Sequence, residues 1–343
     1  MSKKSSYKVA VVGATGAVGE VVVALLAERD FPVSELVPLA SERSAGGKVK
    51  FAGREVTVQL LDGFDFSGVD IAIFSAGSTV SREHAPRAVA AGAVVIDNTA
   101  EFRYQHDIPL VISEVNPHAI ADYVTRGIIA NPNCSTMQML VVLAPIHRAV
   151  GVERINVATY QSVSGAGRTG MEELGRQTAA LLSFKSVEPG EIFPAQIAFN
   201  VIPHIDEFQP NGYTREEMKM VWETRKILED ESIQVNPTAV RVPVFYGHAE
   251  AVHLETRDKL SVEDARALLA AAPGVTLLDE RKAGGYPTPV GQAAGHDEVF
   301  VGRIREDISH DRGLDLWIVS DNIRKGAALN AVQIAELLIA DYL

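Results

Sequence analysis

Short runs of β-branched and apolar residues alternate with helical patterns through the first 130 residues. In chain order the segments are YKVAVVG, EVVVALLAERD, ELVPLAS, VDIAIFSAG, REHAPRAVAAG, AVVIDNT and GIIANPN. Strands that alternate with helices at this spacing are typical of a parallel sheet with right-handed crossovers. The pattern therefore predicts an α/β fold that begins with a doubly wound parallel sheet.

The pattern changes after Cys134. Longer segments such as RINVATYQSV, TAVRVPVF and HAEAVHLET alternate apolar and polar positions, and charged helical patterns lie between them. This alternation predicts a second, α+β domain with an antiparallel or mixed sheet. The last apolar segment, KGAALNAVQIAELLIADYL, has helical spacing. We expect a first domain at 1–133, a second at 134–324, and a C-terminal helix at 325–343 that returns to the first domain.

Composition and charge narrow the function. The 343 residues suit two domains, and 47% hydrophobic with 22% charged residues is ordinary for a globular enzyme. A net charge of −12 disfavours nucleic acid and anionic membranes as partners. No apolar run has membrane-spanning length and no signal-peptide pattern is present, so we expect a cytoplasmic protein. With one cysteine, neither a disulfide nor a metal site is expected.

A glycine-rich turn follows the first predicted strand. The motif GATGAVG lies between the apolar run VAVV and a helical segment. Glycines in a strand-to-helix turn let the backbone approach a pyrophosphate, whose charge then lies at the helix N-terminus. The alternative is a tight turn without a ligand. The context favours a Rossmann-type dinucleotide site, with these contact residues: Gly13, Thr15, Gly16, Ala17 and Val18.

The second predicted strand ends in LASERSAGG, where the dinucleotide ribose would lie. An NAD site usually has an acidic residue there, whereas Arg43 between Ser41 and Ser44 suits a 2′-phosphate. Glu42 weakens this inference, and an exposed polar loop is the alternative. The sequence favours NADP as the cofactor.

The only cysteine, Cys134, lies in the segment ANPNCST. Asn131, Pro132 and Asn133 are turn residues, and MQMLVVLAPIHRAV after them has a helical pattern, so Cys134 is expected at a helix N-terminus. The helix dipole and unpaired N–H groups stabilise a thiolate at this position. A lone cysteine can also be an inert core residue. The polar surroundings favour a nucleophile.

A nucleophilic cysteine needs a proton acceptor, for which nine histidines are available. His248 begins the alternating strand HAEAVHLET. Arg241 precedes it by seven residues, which would place the two side chains on opposite faces of one regular strand unless Pro243 or Gly247 broke the register. Five others are expected to be solvated on helix surfaces or loops: His84, His106, His118, His147 and His310.

Eight segments in order resemble the bacterial aspartate-β-semialdehyde dehydrogenase family over nearly the whole chain. They are GATGAVG, ASERSAG, DNTAEFR, NPNCST, YQSVSGAG, EEMK, RVPVFYGH and DNIRKGAALNAVQ. The resemblance implies a homodimer, with a catalytic and dimerisation role for the second domain. It also implies NADPH-dependent reductive dephosphorylation of L-4-aspartyl phosphate to aspartate semialdehyde, on the route to lysine, threonine and methionine.

The resemblance also implies residue roles. Cys134 would form an acyl-thioester, His248 would be the general acid/base, and Gln161 would orient the acyl group. Arg241 would bind the α-carboxylate of the substrate. Arg103 and Lys219 would bind the phosphate, with Asn133 as a further contact. The nicotinamide would lie near Ser164, Gly165 and Asn322. A protein of net charge −12 needs such a local cationic cluster to bind an acyl phosphate.

The helical segment TREEMKMVWETRKILED contains two adjacent glutamates, Glu216 and Glu217, for which the sequence predicts different roles. Thr214 and Glu217 fit a capping box, which leaves Glu216, with Lys219, to match the substrate-contacting pair of the family. The alternative for Lys219 is a surface charge. Apolar spacing predicts a buried stripe of Met218, Val221, Trp222 and Leu228.

Two other functions remain open. N-acetyl-γ-glutamyl-phosphate reductase has the same domain plan, but its cysteine lies in a Gly-Cys-Tyr-Pro-Thr context that NPNCST does not resemble. A non-catalytic NADP-binding paralogue is the second alternative. The presence of Cys134, Gln161, Arg241 and His248 together argues against it.

Overall fold

The computed structural model describes residues 4–187 and 190–343, and the chain divides into two compact units. The first comprises the chain up to Asn133 together with Ala327–Leu343, and the second is the continuous segment Cys134–Gly326. The second unit is therefore an insertion in the sequence of the first.

The first unit contains a six-stranded sheet in which every neighbouring pair is parallel, in the order β5-β2-β1-β6-β7-β8. A separate hairpin is formed by β3 and β4. The elements of this part of the chain are β1 (Tyr7–Val12), α1 (Ala17–Glu28), β2 (Val33–Ala40), β3 (Lys48–Phe51), β4 (Arg54–Thr57), β5 (Gln59–Leu60), β6 (Ile71–Phe74), α2 (Ser78–Ala90), β7 (Val94–Asp97), a 3-10 segment (Pro117–Thr125) and β8 (Ile128–Ala130).

The central strands of this sheet are buried on both faces. Every residue of β6 is fully buried, and so are four of the six residues of β1. Strands covered by helices on both sides read as continuous apolar runs, which is why IAIF and VAVV carry no alternation. The doubly wound α/β prediction is confirmed.

The second unit contains a mixed sheet in the order β10-β9-β11-β14-β13-β12. The pairs β9–β10 and β12–β13 are parallel, and the other pairs are antiparallel. Its elements are α3 (Cys134–Val150), β9 (Val152–Gln161), a 3-10 turn (Val163–Ala166), α4 (Gly167–Leu182), α5 (Arg215–Leu228), β10 (Gln234–Arg241), β11 (His248–Thr256), α6 (Val262–Ala270), β12 (Val275–Leu277), a π-helical turn (Pro289–Ala293), β13 (Val299–Glu306) and β14 (Gly313–Ser320). The predicted α+β character is confirmed.

Two apolar helices complete the units. Helix α3 packs on the mixed sheet, and most of its side chains are buried. The C-terminal segment begins with a π-helical turn, Arg324–Leu329, and continues as α7 (Asn330–Asp341), which packs into the core of the first unit as predicted. Within the described residues, no helix combines the length and the apolar character needed to cross a membrane.

Two predictions from helical spacing were wrong. His84 is buried on the inner face of α2 beside Ala85 and Ala88, where Arg87 bonds its ring nitrogen. On α5, Val221 is buried as predicted, but Trp222 is 38% exposed, and Met220 and Ile227 complete the buried apolar face. The stripe is rotated because buried glutamates, which have polar partners, share the inner face of α5.

Candidate active site

Three predicted site residues lie where strands of the mixed sheet end. Gln161 is the last residue of β9, Arg241 is the last residue of β10 and pairs with it in register, and His248 is the first residue of β11. Because β11 runs antiparallel to β9, its start lies at the same edge of the sheet as the end of β9. Arg241 and His248 therefore belong to different strands, and the single-strand register considered from the sequence does not arise.

Cys134 is the first residue of α3, as the turn residues before it predict. The residue is partly buried. A Cβ atom built on Gly326 would lie only 2.8 Å from the Cβ of Cys134, so the chain passes the cysteine at backbone contact distance. A negative charge at Cys134 would raise the pKa of Arg241, so a thiolate there and the guanidinium attract each other.

Arg241 is a buried cation at this edge. Its Nη1 donates to the Ser162 carbonyl across 2.8 Å, and only 6% of the residue is exposed. Burial lowers the pKa of the guanidinium, whereas Glu216 and Cys134 oppose that shift. A Cβ on Gly165 would lie 2.7 Å from Nη1, so the absence of a side chain at Gly165 leaves the guanidinium its space.

Glu216 connects the sheet edge to helix α5. Its Oε1 accepts from Gln161 Nε2 at 3.2 Å, and its Oε2 accepts from Lys219 Nζ at 2.8 Å. Lys219 also donates to Asp206 at 2.7 Å. Burial alone would lower the pKa of Lys219, but Glu216 and Asp206 raise it above the ordinary value. The ammonium is thus held charged between two carboxylates.

Glu217 has the structural position that the capping argument predicts. The Thr214 hydroxyl accepts from the Glu217 N–H at 3.3 Å, and Glu217 Oε2 accepts from the Thr214 N–H at 2.7 Å. The other oxygen of Glu217 accepts from the Ala239 N–H, which ties α5 to β10. The capping box is confirmed, and Glu217 has a second task that the sequence does not indicate.

His248 is fully buried. Burial, and then the positive charge of Arg241, lower its pKa to about 3, while Glu216 and the Gly247 backbone act in the opposite direction. The imidazole is therefore neutral at physiological pH. Its Nδ1 accepts from the Ser162 N–H at 3.1 Å.

A compact polar network lies beside His248. Asn322 Oδ1 accepts from the Gly247 N–H at 3.0 Å and lies 2.9 Å from the Ser162 hydroxyl and 3.1 Å from the Ser164 hydroxyl. Ser162, Ser164 and Asn322 are all buried. The structure thus joins two of the residues expected near the nicotinamide, Ser164 and Asn322, to the histidine.

In the first unit, the glycine motif forms the predicted strand–turn–helix. Gly13 has φ +84°, and a Cβ there would lie 2.9 Å from the carbonyl oxygen of Ser75. Gly16 precedes α1 in extended conformation, and no side chain caps the helix. Gly13 directly follows β1 and Ser75 directly follows β6, the pair of neighbouring strands at which the strand order reverses. Doubly wound sheets bind ligands at this crevice.

The other motif residues are Thr15, which precedes the N-cap residue Gly16, and Ala17 and Val18, which begin α1, and all three are partly buried. The loop after β2 holds Ser41, Arg43 and Ser44. Ser41 and Arg43 are exposed, and Ser44 is half-buried. The loop thus leaves the Arg43 side chain at the surface, at the carboxyl end of a strand next to β1.

Arg103 and Asn133 also belong to the first unit, and both are buried. Arg103 donates to the Asn98 carbonyl at 2.8 Å. The Asn98 side-chain oxygen accepts from Asn131, which in turn accepts from Asn330. A polar chain therefore holds the loops that follow β7 and β8.

Four residues with evident roles were missed by the sequence analysis. Asp206 bonds Lys219, Ser162 bonds His248, Gly326 lies against Cys134, and Glu250 is a fully buried carboxyl two residues along β11 from His248. Local sequence carries no signal for the first three because their partners are distant in the chain. Glu250 was detectable as an acidic residue on the apolar phase of an alternating strand.

Two family models match the chain in the order of its two units. The "Semialdehyde dehydrogenase, NAD binding domain" model matches residues 8–123, and the "Semialdehyde dehydrogenase, dimerisation domain" model matches 143–325. Together with the fold and the cysteine-centred site, these matches define an oxidoreductase of the semialdehyde dehydrogenase class.

Relatives narrow the class. The aspartate-semialdehyde dehydrogenase of Legionella pneumophila is 62% identical over 98% of this chain and 96% of its own length. The crystal structure of aspartate semialdehyde dehydrogenase II complexed with ASA from Vibrio cholerae has a TM-score of 0.97 at 59% identity and covers 99% of this chain and 100% of its own. The Candida albicans enzyme, solved with NADP, has a TM-score of 0.74 at 26% identity over 97% of this chain and 98% of its own. The chain belongs to the aspartate-semialdehyde dehydrogenase family, as the sequence resemblance implied.

Proposed function

We propose that the protein catalyses the NADPH-dependent reductive dephosphorylation of L-4-aspartyl phosphate to L-aspartate 4-semialdehyde through a Cys134 acyl-thioester. One observation carries the proposal. Cys134 begins α3 and interacts electrostatically with Arg241, which ends its strand at the sheet edge that also bears Gln161 and His248. A thiolate, a buried cation and polar groups are what acyl transfer to sulfur requires.

The chemistry at Cys134 follows from its position. Arg241 and the first N–H groups of α3 favour the thiolate, which attacks the acyl carbon of the phosphate substrate. The thioester keeps the acyl group activated after phosphate leaves. Gln161, held by Thr159 and Glu216, orients that group. A reduced nicotinamide nucleotide supplies the hydride when bound.

Substrate selection rests on the buried charges. Arg241 binds the α-carboxylate, and the Glu216 carboxylate, which Gln161 and Lys219 hold in place, accepts from the α-ammonium. Arg103, Asn133 and Lys219 bind the phosphate. The Lys219 ammonium donates two of its three N–H groups to Asp206 and Glu216, and the third is directed to the phosphate. A carboxylate at position 216 would disfavour an N-acetylated substrate, because an amide lacks the compensating charge.

The residues of the first unit fit the cofactor. A Cβ at Gly13 or Gly19 would fill the turn, because at Gly19 it would approach Gly13 O to 2.1 Å, so the backbone around α1 is kept open for a pyrophosphate. Arg43, with Ser41 and Ser44, is the proposed 2′-phosphate contact. We also propose a cytoplasmic homodimer that serves lysine, threonine and methionine biosynthesis, including the diaminopimelate route.

The alternatives are weaker. The relatives with 59–62% identity are aspartate-semialdehyde dehydrogenases, which disfavours N-acetyl-γ-glutamyl-phosphate reductase as the function. A paralogue that only binds NADP would have no use for the Cys134–Arg241 pair.

The test is turnover of purified protein with L-aspartate semialdehyde, phosphate and NADP⁺, followed as NADPH formation, with N-acetylglutamate semialdehyde as the comparison substrate. Preference for the acetylated substrate would support the reductase, and no turnover of either would support the paralogue.

A further inference from the structure

A second layer of buried polar side chains lies next to the candidate catalytic residues. Residues four apart on a helix, or two apart on a strand, lie on the same face of their element. Three polar residues have this relation to the site: Gln138 follows Cys134 by one helical turn on α3, Thr159 precedes Gln161 by two residues on β9, and Glu250 follows His248 by two residues on β11. All three are at most 1% exposed. Each of these catalytic side chains therefore has a buried polar neighbour on its own element.

The two strands bring Thr159 and Glu250 together. Glu250 pairs with Thr159 across the antiparallel strands β11 and β9, and paired residues place their side chains on the same face of a sheet. The Thr159 hydroxyl accepts from Gln161 Nε2 at 3.3 Å. Glu250 is thus one side chain away from the residue proposed to orient the acyl group.

Helix α3 brings Gln138 to the same carboxyl group. The helix packs on this sheet, and Gln138 is the side chain whose hydrogen bonding opposes the effect of burial on Glu250. No other donor among residues 4–187 and 190–343 reaches either oxygen of Glu250. Burial raises the pKa of Glu250 well above its ordinary value. The carboxyl group therefore keeps its proton over a wider pH range than an exposed glutamate does.

A protonated carboxyl group and a primary amide are complementary. Each has a donor and an acceptor, so the two can exchange a pair of hydrogen bonds, whereas a carboxylate can only accept. Two leucines would pack the helix on the sheet without burying polar groups, and such replacements are often neutral or stabilising. Directional bonds instead fix the position of one element over another more narrowly than apolar contacts do. The buried polar pair is therefore suited to precise placement and not to added stability.

We propose that Glu250 is a positioning residue that acts as a neutral hydrogen-bond donor to Gln138 and thereby fixes the first turn of α3, with Cys134, over the ends of β9 and β11. This inference rests on the proposed function and leaves its chemical steps unchanged. It also leaves the general acid/base role expected of His248 as it stands. Thioester formation depends on the placement of the nucleophile, and a displacement of about 1 Å can lower the rate on the order of a hundredfold.

Two substitutions of Glu250 test the hydrogen bond. Glu250→Gln keeps a neutral side chain that can donate to Gln138, so kcat with L-aspartate semialdehyde, phosphate and NADP⁺ should stay within about threefold. Glu250→Leu keeps the approximate volume and removes the hydrogen bonds, so kcat should fall at least about tenfold, with KM for NADP⁺ unchanged within about twofold. Equal kcat values in the two variants, whether retained or lost, would overturn the proposal.

A double variant separates positioning from stability. Glu250→Leu leaves Gln138 buried without its partner, so the Tm should fall by about 2–4 °C. Addition of Gln138→Leu replaces both polar partners by apolar groups, so the Tm should return to within about 1 °C of the original value while kcat stays at least about tenfold low. If kcat recovered together with the Tm, the pair would have only a structural role and the proposal would be wrong.

Val252 provides the matched control on the same strand. It is buried and is the next residue after Glu250 on this face of β11. Val252→Ala should lower the Tm by about 2–4 °C through a core cavity and keep kcat within about threefold, because it removes no hydrogen bond. A loss of kcat as large as that in Glu250→Leu would mean that the site responds to any damage on this face, which contradicts a specific role for Glu250.

Hydrogen exchange tests the placement of the helix without turnover. The N–H groups of residues 138–141 bond to the carbonyls of residues 134–137 in α3, so their exchange reports on its first turn. Exchange followed by mass spectrometry should be at least about threefold faster in the double variant and unchanged in Glu250→Gln. Equal exchange in all variants would refute the positioning role. Failure of the unmodified protein to reduce NADP⁺ with aspartate semialdehyde would reject the proposed function and leave the exchange result standing.

Discussion

The candidate sites of the two units are built from different materials. In the first unit the proposed cofactor site is built mainly from backbone: a turn opened by Gly13, a helix start without a side-chain cap, and the carbonyl of Ser75 just after the neighbouring strand. In the second unit the candidate site is made of side chains from positions 134, 161, 216, 241 and 248. They are linked by hydrogen bonds and by electrostatic interactions. A backbone site leaves a contiguous motif in the sequence, whereas a side-chain site leaves single residues far apart. The two units should therefore respond differently to substitution.

The largest expected effect separates chemistry in the second unit from binding in the first. Cys134→Ser should lower kcat on the order of 10³-fold or more, because a serine hydroxyl is far less ionised than a thiol. The Kd for NADP, measured by titration calorimetry, should be unchanged within about twofold. Rapid alkylation of the unmodified protein at neutral pH should likewise abolish turnover. Labelling that needs denaturant would show that the cysteine is only a core residue.

Adjacent glutamates on α5 provide a matched pair within the second unit. Glu216→Ala should lower kcat/KM for L-aspartate semialdehyde on the order of a hundredfold and erode discrimination against the N-acetyl derivative, because the ammonium loses its charged partner. Glu217→Ala should leave selectivity intact and lower the free energy of unfolding by about 1–3 kcal/mol, because it removes a cap and the acceptor for the Ala239 N–H. Steady-state kinetics and denaturant unfolding of both variants decide this. Selectivity controlled by Glu217 would refute the assignment.

Arg43 tests a charged side-chain contribution to the proposed cofactor site of the first unit. Its loss in Arg43→Ala should weaken NADPH binding by on the order of 1.5–3 kcal/mol, about 10- to 150-fold, and leave NADH use nearly unchanged. The ratio of kcat/KM for the two cofactors is the measurement. Equal use of both cofactors by the unmodified protein would reject the 2′-phosphate contact.

Each unit has a glycine next to its candidate site, where an added Cβ atom would meet a neighbouring residue. Gly13→Ala places a Cβ 2.9 Å from Ser75 O at φ +84°, so it should raise KM for the cofactor about tenfold. Gly326→Ala places a Cβ 2.8 Å from the Cβ of Cys134, so it should lower kcat about tenfold by displacing the thiol. Cofactor KM and kcat of both variants are compared. If each variant altered both parameters equally, the two sites would not be separable in this way.

The smallest effect concerns Glu250. Burial raises the pKa of this carboxyl well above its ordinary value, and Gln138, one turn after Cys134, offsets only part of the shift. Between the ordinary and the raised pKa the folded state holds a proton that the unfolded chain has lost, so stability falls as pH rises through that window. Glu250→Gln removes the proton difference. Its Tm relative to the unmodified protein should increase by about 2–4 °C from pH 5 to pH 8. Parallel pH–stability curves would indicate an ionised Glu250.

Sequence reasoning succeeded where structure is local. The strand–turn–helix of the glycine motif, the helix start at Cys134 and the Thr214–Glu217 cap each depend on residues within one turn of each other. It failed where tertiary contacts decide. Trp222 is exposed because buried glutamates share the inner face of α5, and His84 is buried because it lies on the inner face of α2.

The same limit applies to the candidate site. Spacing alone treated Arg241 and His248 as residues of one strand, whereas the loop at 242–247 separates two strands. The family resemblance supplied the set of residues. It carried no information on the donor that faces His248 Nδ1 or on the second carboxylate at Lys219, because Ser162 and Asp206 act only through folded geometry.

The interrupted first unit constrains the order in which the chain can complete its cores. Residues 134–326 form one continuous unit, whereas α7, which places Val332, Ala335 and Leu338 in the core of the first unit, is translated after all of them. Until then the apolar surface that α7 covers stays exposed, the kind of nascent surface that chaperones bind. The N-terminal unit is thus begun first and finished last.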